Sequence, residues 1–245
     1  MRVAIVSDVH GNLTALEAVI ADLGRCSPDL VLHGGDLALM GPRPDLVVDR
    51  IRELGWEGVV GNTDELLWRP DQLARQEEAA PKLAAQLRLM FVEYAPATRE
   101  ALGQERIDWL RGLPAEIRAG DLALVHAAPG NLWRAPMPTA SDRELADAYA
   151  ALGAPVGVYG HVHRPFVREL DRLTVANAGS VGMPWDGDPR ASYLLVDDGR
   201  PEIVKVPYDV EREADLIRGS GHPDAGRLAE MRLRARFIPP RRGEA

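Results

Sequence analysis

The sequence predicts an α/β (α+β) fold, a four-layer αββα sandwich in which two mixed β-sheets lie together and are flanked by helices. Two observations lead to this prediction. The first half of the chain alternates short β-branched runs with segments of helical periodicity, whereas the second half consists largely of short strands in succession. This mixture is typical of two sheets that share one core, with helices on the outer face of each.

In the first half, three apolar runs each end in a polar loop. The runs predict strands at 3–7, 30–33 and 58–60, and helical periodicity predicts helices at 13–23 and 45–54. In an open α/β sheet, ligands bind where the carboxyl ends of neighbouring strands and the following loops converge. The polar loops therefore indicate the edge of the sheet at which a site is expected.

The middle of the chain is rich in Ala, Leu, Arg, Gln and Glu at helical spacing, with breaks expected at Pro70, Pro81, Pro96 and Gly103. These signals predict about three helices, which either form a cap over the strand-end site or cover a face of the sheet. Beyond them, the pattern predicts a hairpin at 117–125 and strands at 156–159, 166–170, 173–176, 193–196 and 203–206.

These elements are consistent with a single domain over residues 1–218, with a helical cap-like insertion at about 65–113. Residues 219–245 are predicted to be an Arg-rich C-terminal tail. Two interpretations of this tail stay open. It is either a short helix with a frayed end or an arm that docks on a second subunit or an anionic surface.

Composition limits the class of protein. The chain has 245 residues, a net charge of −8 and one cysteine, Cys26, which excludes an intrachain disulfide or a thiolate zinc cluster. The apolar run 3–6 is shorter than the ~7–15 residues of a signal-peptide core, and no window approaches the ~18 apolar residues of a membrane span. We therefore expect a cytoplasmic protein that does not bind membranes. The excess of acidic over basic residues argues against a general nucleic-acid binder, which needs a basic surface to contact the phosphate backbone.

Ordered polar residues follow the predicted strands and form the main functional signal. Carboxylate, amide and imidazole side chains occur in five blocks, D-x-H, G-D, G-N, H and G-H-x-H. Their polar members are Asp8, His10, Asp36, Asn62, His126, His161 and His163. Four of the six histidines of the chain belong to this set. Oxygen and nitrogen donors of this kind point to a site for divalent metal ions.

In these five blocks the sequence resembles the metallophosphoesterase superfamily, the calcineurin-like phosphoesterases. It is most similar to the small bacterial and archaeal phosphodiesterase branch, for which the segments DVHGN at 8–12 and NAGSVG at 177–182 are typical. The resemblance spans residues 1 to about 196. It implies a metal-dependent phosphoesterase that acts on phosphorylated small molecules or nucleotides.

The resemblance also implies two metal ions. One would be held by Asp8, His10, Asp36 and His163, and the second by Asp36, Asn62, His126 and His161. A hydroxide that bridges the ions would attack phosphorus directly. Manganese is favoured by the resemblance alone, and iron, zinc, cobalt and nickel suit the same donors.

The sequence departs from the family after the Gly-Asn pair, where many members have histidine and this chain has Thr63. A hydroxyl can donate a hydrogen bond but cannot act as an acid near pH 7, so we expect a preference for good leaving groups. Thr63 and Asp64 are the candidate catalytic residues. Asp64 either orients a metal-binding histidine or a loop amide, or caps the following helix.

Two further residues are candidates for binding substrate. Asn12 could contact phosphate at the start of the first helix or simply cap that helix, and Arg190 could pair with phosphate or form a surface salt bridge. Ser180 is predicted to hold a loop near the metals. His33 is expected in the core or beside the ligands, and His222 in a loop without a partner.

Several functions share these motifs. The alternatives are a protein phosphatase or a dinucleoside polyphosphate hydrolase, and, in another class, a non-catalytic scaffold of the same fold. The family resemblance also implies that a homodimer or tetramer is possible.

Overall fold

The structure, a computed structural model, describes residues 1–240, so that Arg241 and Arg242 of the predicted tail lie outside the described residues. The described part contains ten strands in two five-stranded sheets. The strands are β1 (Arg2–Val6), β2 (Leu30–His33), β3 (Glu57–Gly58), β4 (Glu116–Ala119), β5 (Leu122–Val125), β6 (Val156–Tyr159), β7 (Phe166–Glu169), β8 (Thr174–Asn177), β9 (Ala191–Asp197) and β10 (Arg200–Val206).

Nine helices accompany these strands in the described residues. They are α1 (Leu13–Cys26), α2 (Pro44–Glu53), α3 (Asn62–Glu65), α4 (Leu73–Ala79), α5 (Ala84–Arg88), α6 (Ala95–Arg111), α7 (Asp142–Tyr149), α8 (Val210–Gly219) and α9 (Ala225–Arg234). No helix in residues 1–240 is long and apolar enough to cross a membrane.

Both sheets are mixed, and in both the parallel strands lie next to one another. The first sheet has the order β10-β9-β1-β2-β3, in which β1, β2 and β3 are parallel. The second has the order β4-β5-β6-β8-β7, in which β5, β6 and β8 are parallel. The carboxyl ends of neighbouring parallel strands therefore meet at one edge of each sheet.

Alternate residues of β1 face different layers of the molecule. Val3 and Ile5 join an apolar cluster with residues of the second sheet such as Leu124, whereas Ala4 and Val6 face a cluster built with α1, α2, α6, α8 and α9. A third cluster joins the outer face of the second sheet to α7. The order helix, sheet, sheet, helix confirms the predicted αββα sandwich.

Three of the four breaks predicted in the helical middle of the chain are present in the structure. Pro70 and Pro81 each begin a 3-10 turn, and Gly103 adopts a φ of 68° inside α6. The break predicted at Pro96 is wrong. A π-helical turn, Leu89–Tyr94, runs directly into α6, and Pro96 lies in the first turn of this helix, where its missing N–H is tolerated.

The chain after residue 218 contains a short helix, α9, as one of the two interpretations of the tail expects. Helix α9 packs Leu228, Ala229 and Met231 into the cluster on the helical side of the first sheet, and α8 and α9 contact each other along their lengths. Burial of an apolar face stabilises such a helix against fraying. Residues 225–234 are therefore part of the folded core.

His33, at the end of β2, is a buried titratable residue outside the proposed ligand set. Its ring is fully buried, lies 6.0 Å from the ring of Trp109 between centroids, and has no hydrogen bond to any described residue. Burial lowers the pKa of His33 to about 3. This side chain therefore stays neutral in the folded protein over a pH range in which the unfolded chain binds a proton.

We expect the free energy of unfolding of the metal-free protein to fall as the pH drops below 6.5, because the unfolded chain protonates His33 there and the folded chain does not. Between pH 6.5 and pH 5, this residue accounts for about 2 kcal/mol of that fall. His33→Leu is expected to remove this contribution. Urea titrations of both proteins in EDTA at several pH values measure it, and a difference between them that is constant with pH contradicts the prediction.

Candidate metal centre

The predicted ligands lie at the carboxyl ends of parallel strands and converge where the two sheets meet. The loops after β1, β2 and β3 carry the ligands from the first sheet, and those after β5 and β6 carry the ligands from the second. The seven side chains brought together are those of Asp8, His10, Asp36, Asn62, His126, His161 and His163.

The first group of donors consists of Asp8, His10, Asp36 and His163. One donor atom from each of these four buried residues lies within 4.8 Å of the other three. His163 Nε2 is 3.2 Å from Asp8 Oδ1, and His10 Nε2 is 3.7 Å from Asp36 Oδ2. Four donors at this spacing can contact one small cation.

The second group consists of Asp36, Asn62, His126 and His161. Asn62 Oδ1 is 2.9 Å from both His126 Nε2 and His161 Nδ1. His126 Nε2 is also 3.5 Å from Asp36 Oδ1. Asp36 therefore presents one carboxylate oxygen to each group, and it is the residue the two groups share.

Hydrogen bonds on the far side of three imidazoles fix which nitrogen faces the site. In each case Nδ1 lies close to a backbone carbonyl oxygen: His10 to Leu39 (2.9 Å), His126 to Gly34 (2.7 Å) and His163 to Met183 (2.6 Å). Because a carbonyl oxygen only accepts, Nδ1 carries the proton and Nε2 of the neutral ring offers a lone pair to the site.

This tautomer assignment leaves two lone pairs that face each other, since His10 Nε2 and His163 Nε2 are only 3.2 Å apart. Without a proton between them the two nitrogens repel. A cation that both nitrogens contact would remove the repulsion, so the donor set fits a divalent metal ion.

The backbone at these ligands is strained. Five of the seven adopt positive φ values between 48° and 64°, a region that non-glycine residues rarely occupy: Asp8, His10, Asp36, His161 and His163. Hydrogen bonds between loops hold this conformation, from Asp8 N to Gly35 O (3.1 Å) and from His10 N to Asp36 O (3.0 Å). Strain of this kind is typical of functional sites, where the surrounding structure maintains it.

Burial keeps two histidines of the site, His10 and His161, neutral. Burial lowers the pKa of His161 to about 3, and the neighbouring His126 adds to the effect. Burial, with a contribution from His163, also holds the pKa of His10 well below its ordinary value. Neutral imidazole is the form that binds metal, so these rings are ready to act as ligands at pH 7.

The two carboxylates respond to their surroundings in opposite ways. Burial, reinforced by the charge of Asp8, raises the pKa of Asp36 to about 7. Burial also opposes ionisation of Asp8, but the neighbouring histidines, His163 foremost, outweigh it and lower the pKa of that carboxyl. Two buried carboxylates that repel each other are stabilised by a cation between them.

Thr63 lies beside the shared carboxylate. Its backbone N–H donates to Asp36 Oδ1 over 2.8 Å, and its side chain lines a cavity above the donors. The hydroxyl oxygen Oγ1 is enclosed and has no hydrogen-bond partner among the described residues. Thr63 therefore lies beside the predicted metal ligands and lines the cavity, and its catalytic role stays a prediction.

Asp64 lies behind the site and does not line the cavity. Its carboxylate accepts hydrogen bonds from the backbone N–H groups of Asp36 (2.8 Å), Leu37 (3.1 Å) and Gly61 (3.1 Å). Burial and the charge of Asp36 raise the pKa of Asp64 to about 7. Asp64 is thus a positioning residue that holds the Asp36 loop and caps α3. These contacts match the alternatives stated for Asp64, the orientation of a loop amide and the capping of the following helix.

The two residues predicted to bind substrate do not reach the site. The side chain of Asn12 is fully buried, caps α1 by accepting from Ala15 N (2.9 Å), and donates to Gly182 O (3.1 Å). Arg190 forms a salt bridge with Asp188 over 2.6 Å and is exposed. These contacts match the alternatives stated for the two residues, a helix cap for Asn12 and a surface salt bridge for Arg190, and neither side chain lines the cavity.

Residues around the last ligand block support the site. Ser180 Oγ donates to Asp8 O (2.7 Å) and accepts from Met183 N (2.8 Å), and so ties the NAGSVG segment to the first ligand loop. The ring of Trp185 stacks on that of His163 with centroids 4.0 Å apart. His222 is far from this group and, contrary to prediction, has partners, since its ring packs against Tyr94 at 4.6 Å.

Arg232 is a residue at the site that the sequence analysis missed. It is fully buried on α9, and one guanidinium nitrogen donates to Met40 O (2.8 Å) and His10 O (3.4 Å). It therefore links the C-terminal helix to both ligand-bearing loops of β1 and β2. The sequence does contain a signal for its burial. This arginine lies on the apolar face of the helix, one residue after Met231 and four after Leu228.

Comparison with known proteins agrees with this geometry. The chain is 30% identical over 222 residues to a probable metallophosphoesterase of Methanothermobacter thermautotrophicus, covering 89% of this chain and all of that protein. It is 25% identical over 219 residues to phosphodiesterase YfcE of Escherichia coli K12, covering 84% of this chain and 92% of that protein.

A solved structure and a family profile complete the comparison. The metallophosphoesterase of Sphaerobacter thermophilus superposes with a TM-score of 0.77 at 30% identity, covering 96% of this chain and 99% of that one. The profile of the calcineurin-like phosphoesterase superfamily domain matches residues 1–199. The chain therefore belongs to the calcineurin-like phosphoesterase superfamily.

Proposed function

We propose that this protein is a metal-dependent phosphoesterase that hydrolyses phosphodiester, phosphomonoester or anhydride bonds of small molecules or nucleotides. Membership of the superfamily supports metal-dependent hydrolysis of phosphoric esters, and the relatives include a protein named as a phosphodiesterase. The observation that carries the proposal is the convergence of seven oxygen and nitrogen donors into two groups that share the carboxylate of Asp36.

We propose that each group of donors holds one divalent ion. Asp8, His10, Asp36 and His163 would bind the first, and Asp36, Asn62, His126 and His161 the second. These donors suit manganese, iron, zinc, cobalt or nickel, with manganese favoured by family resemblance. When bound, such ions supply the charge that activates water for attack on phosphorus and stabilises the phosphate oxygens.

The donor set also determines the charge of the site. Asp8 and Asp36 are the acidic side chains among the seven donors, so they alone bring negative charge to the ions. Two divalent cations would therefore leave an excess of positive charge. Such a site attracts a phosphate ester and stabilises the charge that develops on it during hydrolysis.

We infer that water attacks phosphorus directly, with no covalent enzyme intermediate. Among the described residues that line the cavity, Thr63 has the sole hydroxyl and none has a thiol. The hydroxyl of Thr63 has no base bonded to it within the described residues. A serine or threonine without a base is a weak nucleophile, so Thr63 is assigned to contact a phosphate oxygen or the leaving oxygen.

Thr63→His tests this assignment. The variant is expected to narrow the ratio of hydrolysis rates for good and poor leaving groups by about tenfold or more, because an imidazolium can protonate a poor leaving oxygen and a hydroxyl cannot. The measurement compares p-nitrophenyl and alkyl esters of the same phosphate. Thr63→Val, which has no proton to donate, serves as the control and is expected not to narrow the ratio. An unchanged ratio in Thr63→His contradicts the assignment.

The alternative functions either use the same site on other substrates or do not use it for catalysis. A protein phosphatase or a dinucleoside polyphosphate hydrolase would employ the same residues. A scaffold is least supported, because all seven donors are present and converge. A cytoplasmic location and a homodimeric or tetrameric assembly stay predictions of the sequence.

Hydrolysis of a substrate panel by protein reconstituted with manganese tests the proposed function. The panel contains p-nitrophenyl phosphate, bis(p-nitrophenyl) phosphate and a phosphoprotein. Turnover of a small ester that EDTA abolishes is the expected result. Turnover confined to the phosphoprotein would support the phosphatase alternative, and no metal-dependent turnover of any ester would contradict the proposal.

A further inference from the structure

The proposed reaction site opens into a cavity of about 380 Å³, within the usual size of small-molecule sites. Donors of both groups form one wall. Most of the remaining wall comes from three separate parts of the chain: the helical segment 73–94, the loop after β5, and the C-terminal region around α9. A substrate whose phosphate contacts the donors must therefore place its other groups among these walls.

The walls away from the donors are largely apolar. Leu87 and Met90 of the helical segment face the cavity, as do Trp133, Met231 and Phe237 from the opposite parts of the chain. The ring of Trp133 is held by a stacking contact with Phe91 at 5.7 Å and by a hydrogen bond from its Nε1 to Glu65 (2.8 Å). A flat or apolar group is thus the kind of substituent that this part of the cavity accommodates.

The same walls carry polar atoms that have no partner. Gln86 is 8% exposed, and its amide oxygen has no hydrogen bond among the described residues. The indole Nε1 of Trp185 and the hydroxyl of Thr63 are also without one. All three atoms are enclosed, so a substrate bonds them only when their side chains turn towards the cavity, and an acyl chain has no group that would bond them. A planar ring with donors and acceptors on its edge can satisfy them.

Two cations complete the lining. Arg134 and Arg164 are exposed, line the cavity and lie farther than 4.0 Å from every carboxylate of the described residues. Their contacts are with backbone carbonyls, those of Ala79 and Trp185. Both guanidinium groups retain free donors for an anion, and phosphate oxygens or ribose hydroxyls are suitable acceptors.

From these features, and resting on the proposed function, we propose that the substrates are phosphate esters of nucleosides. The base lies between the helical segment 73–94 and the tryptophan side of the cavity, with Gln86 bonded to its polar edge. An amide pairs donor and acceptor in the geometry that a base edge presents, which makes Gln86 a specificity-determining residue.

In the proposed reaction, water and a nucleoside phosphodiester give a nucleoside monophosphate and an alcohol. A bond forms between the water oxygen and phosphorus, and the bond from phosphorus to the leaving oxygen breaks. One proton of the water ends on the leaving oxygen, or in solvent where that oxygen departs as a stable anion, and the other is released to solvent as the monophosphate ionises. No oxidant or further reactant is required.

Three diesters with the same p-nitrophenol leaving group test the proposal, because they differ solely in the other alcohol: adenosine through its 5′ oxygen, octanol or methanol. For manganese-loaded protein, we expect kcat/KM for the adenosine ester to exceed that for each of the others at least about tenfold, chiefly through KM. In Gln86→Met, which keeps an unbranched side chain of similar length, this preference is expected to shrink about tenfold. Equal or higher kcat/KM for the octyl ester would overturn the proposal in favour of an acyl-chain site.

Calorimetric binding of AMP, octyl phosphate and phenyl phosphate to the same protein separates this proposal from the proposed function. If no diester is hydrolysed but AMP binds at least about tenfold more tightly than the other two, the nucleoside site stands and the hydrolase assignment fails. If esters are hydrolysed but AMP shows no advantage, the hydrolase stands and the nucleoside site is refuted. An AMP advantage that Gln86→Met leaves intact would remove Gln86 from the proposal.

Discussion

Asp36→Asn is expected to lower kcat/KM by about a thousandfold or more and to leave the protein unable to retain two metal ions. Asp36 presents Oδ2 to His10 and Oδ1 to His126, and so belongs to both donor groups. The amide of asparagine brings no negative charge and has one oxygen donor instead of two. A loss of this size corresponds to about 4 kcal/mol of transition-state stabilisation. Steady-state kinetics and metal analysis of the purified variant measure both effects.

Asp49→Asn is the matched control, because Asp49 is a carboxylate on α2 that pairs with Arg106 and lies outside the cavity. It is expected to keep wild-type metal content and activity. Wild-type turnover by Asp36→Asn, with normal metal content, would contradict the assignment of the shared carboxylate.

Arg232→Met is expected to weaken manganese binding by about 10- to 100-fold, the range found when groups that orient metal ligands are removed. The guanidinium of Arg232 bonds the carbonyl oxygens of His10 and Met40, which belong to two loops in strained conformations with positive φ. Loss of these bonds lets the loops relax away from the geometry that the donors require. Chelator competition measures the Kd for manganese without reference to activity.

Arg234→Met provides the control on the same helix, since Arg234 is exposed and pairs with Glu230. It is expected to leave the Kd unchanged. Arg232→Lys retains a buried cation and is expected to recover part of the affinity. A lower free energy of unfolding in Arg232→Met with an unaltered Kd would show that Arg232 stabilises the fold and does not position the ligands.

The order of the ligand blocks was predictable because it depends on local patterns. Each block follows a β-branched run, and parallel strands bring their carboxyl ends together whatever the details of packing. The family resemblance predicted that Asp36 belongs to both metal-binding groups. The distances from its two carboxylate oxygens are consistent with this prediction. The residue placement of the proposed site thus follows from short segments of sequence.

The roles of Asn12, Asp64 and Arg190 depend on contacts that the sequence does not contain. The sequence shows a residue that can cap, pair or bind phosphate, and which of these occurs is decided by neighbours far along the chain. Asn12 meets Gly182, and Asp64 meets the amide of Asp36. A sequence pattern alone therefore does not distinguish a polar residue that binds substrate from one that caps a helix or holds a loop near a strand end.

Two helices show other limits of the sequence analysis: α7 was not predicted, and the buried arginine of α9 was not recognised. The capping box that begins α7, in which Ser141 and Glu144 bond each other's backbone N–H groups, is visible in the sequence as S-x-x-E. The many arginines after residue 218 suggested a short helix with a frayed end or a docking arm, yet Arg232 is among the most deeply buried side chains of the protein. Charge composition predicts solvation on average and fails where a buried cation bonds carbonyl groups.

The metal content of the wild-type protein tests the central claim most directly. Protein purified without chelator, reconstituted with manganese and freed of excess ion is analysed by mass spectrometry for metal per chain. The two donor groups that share Asp36 predict two ions per chain. A protein that retains no ion, or that saturates at one, would contradict the dinuclear centre on which the proposed chemistry depends.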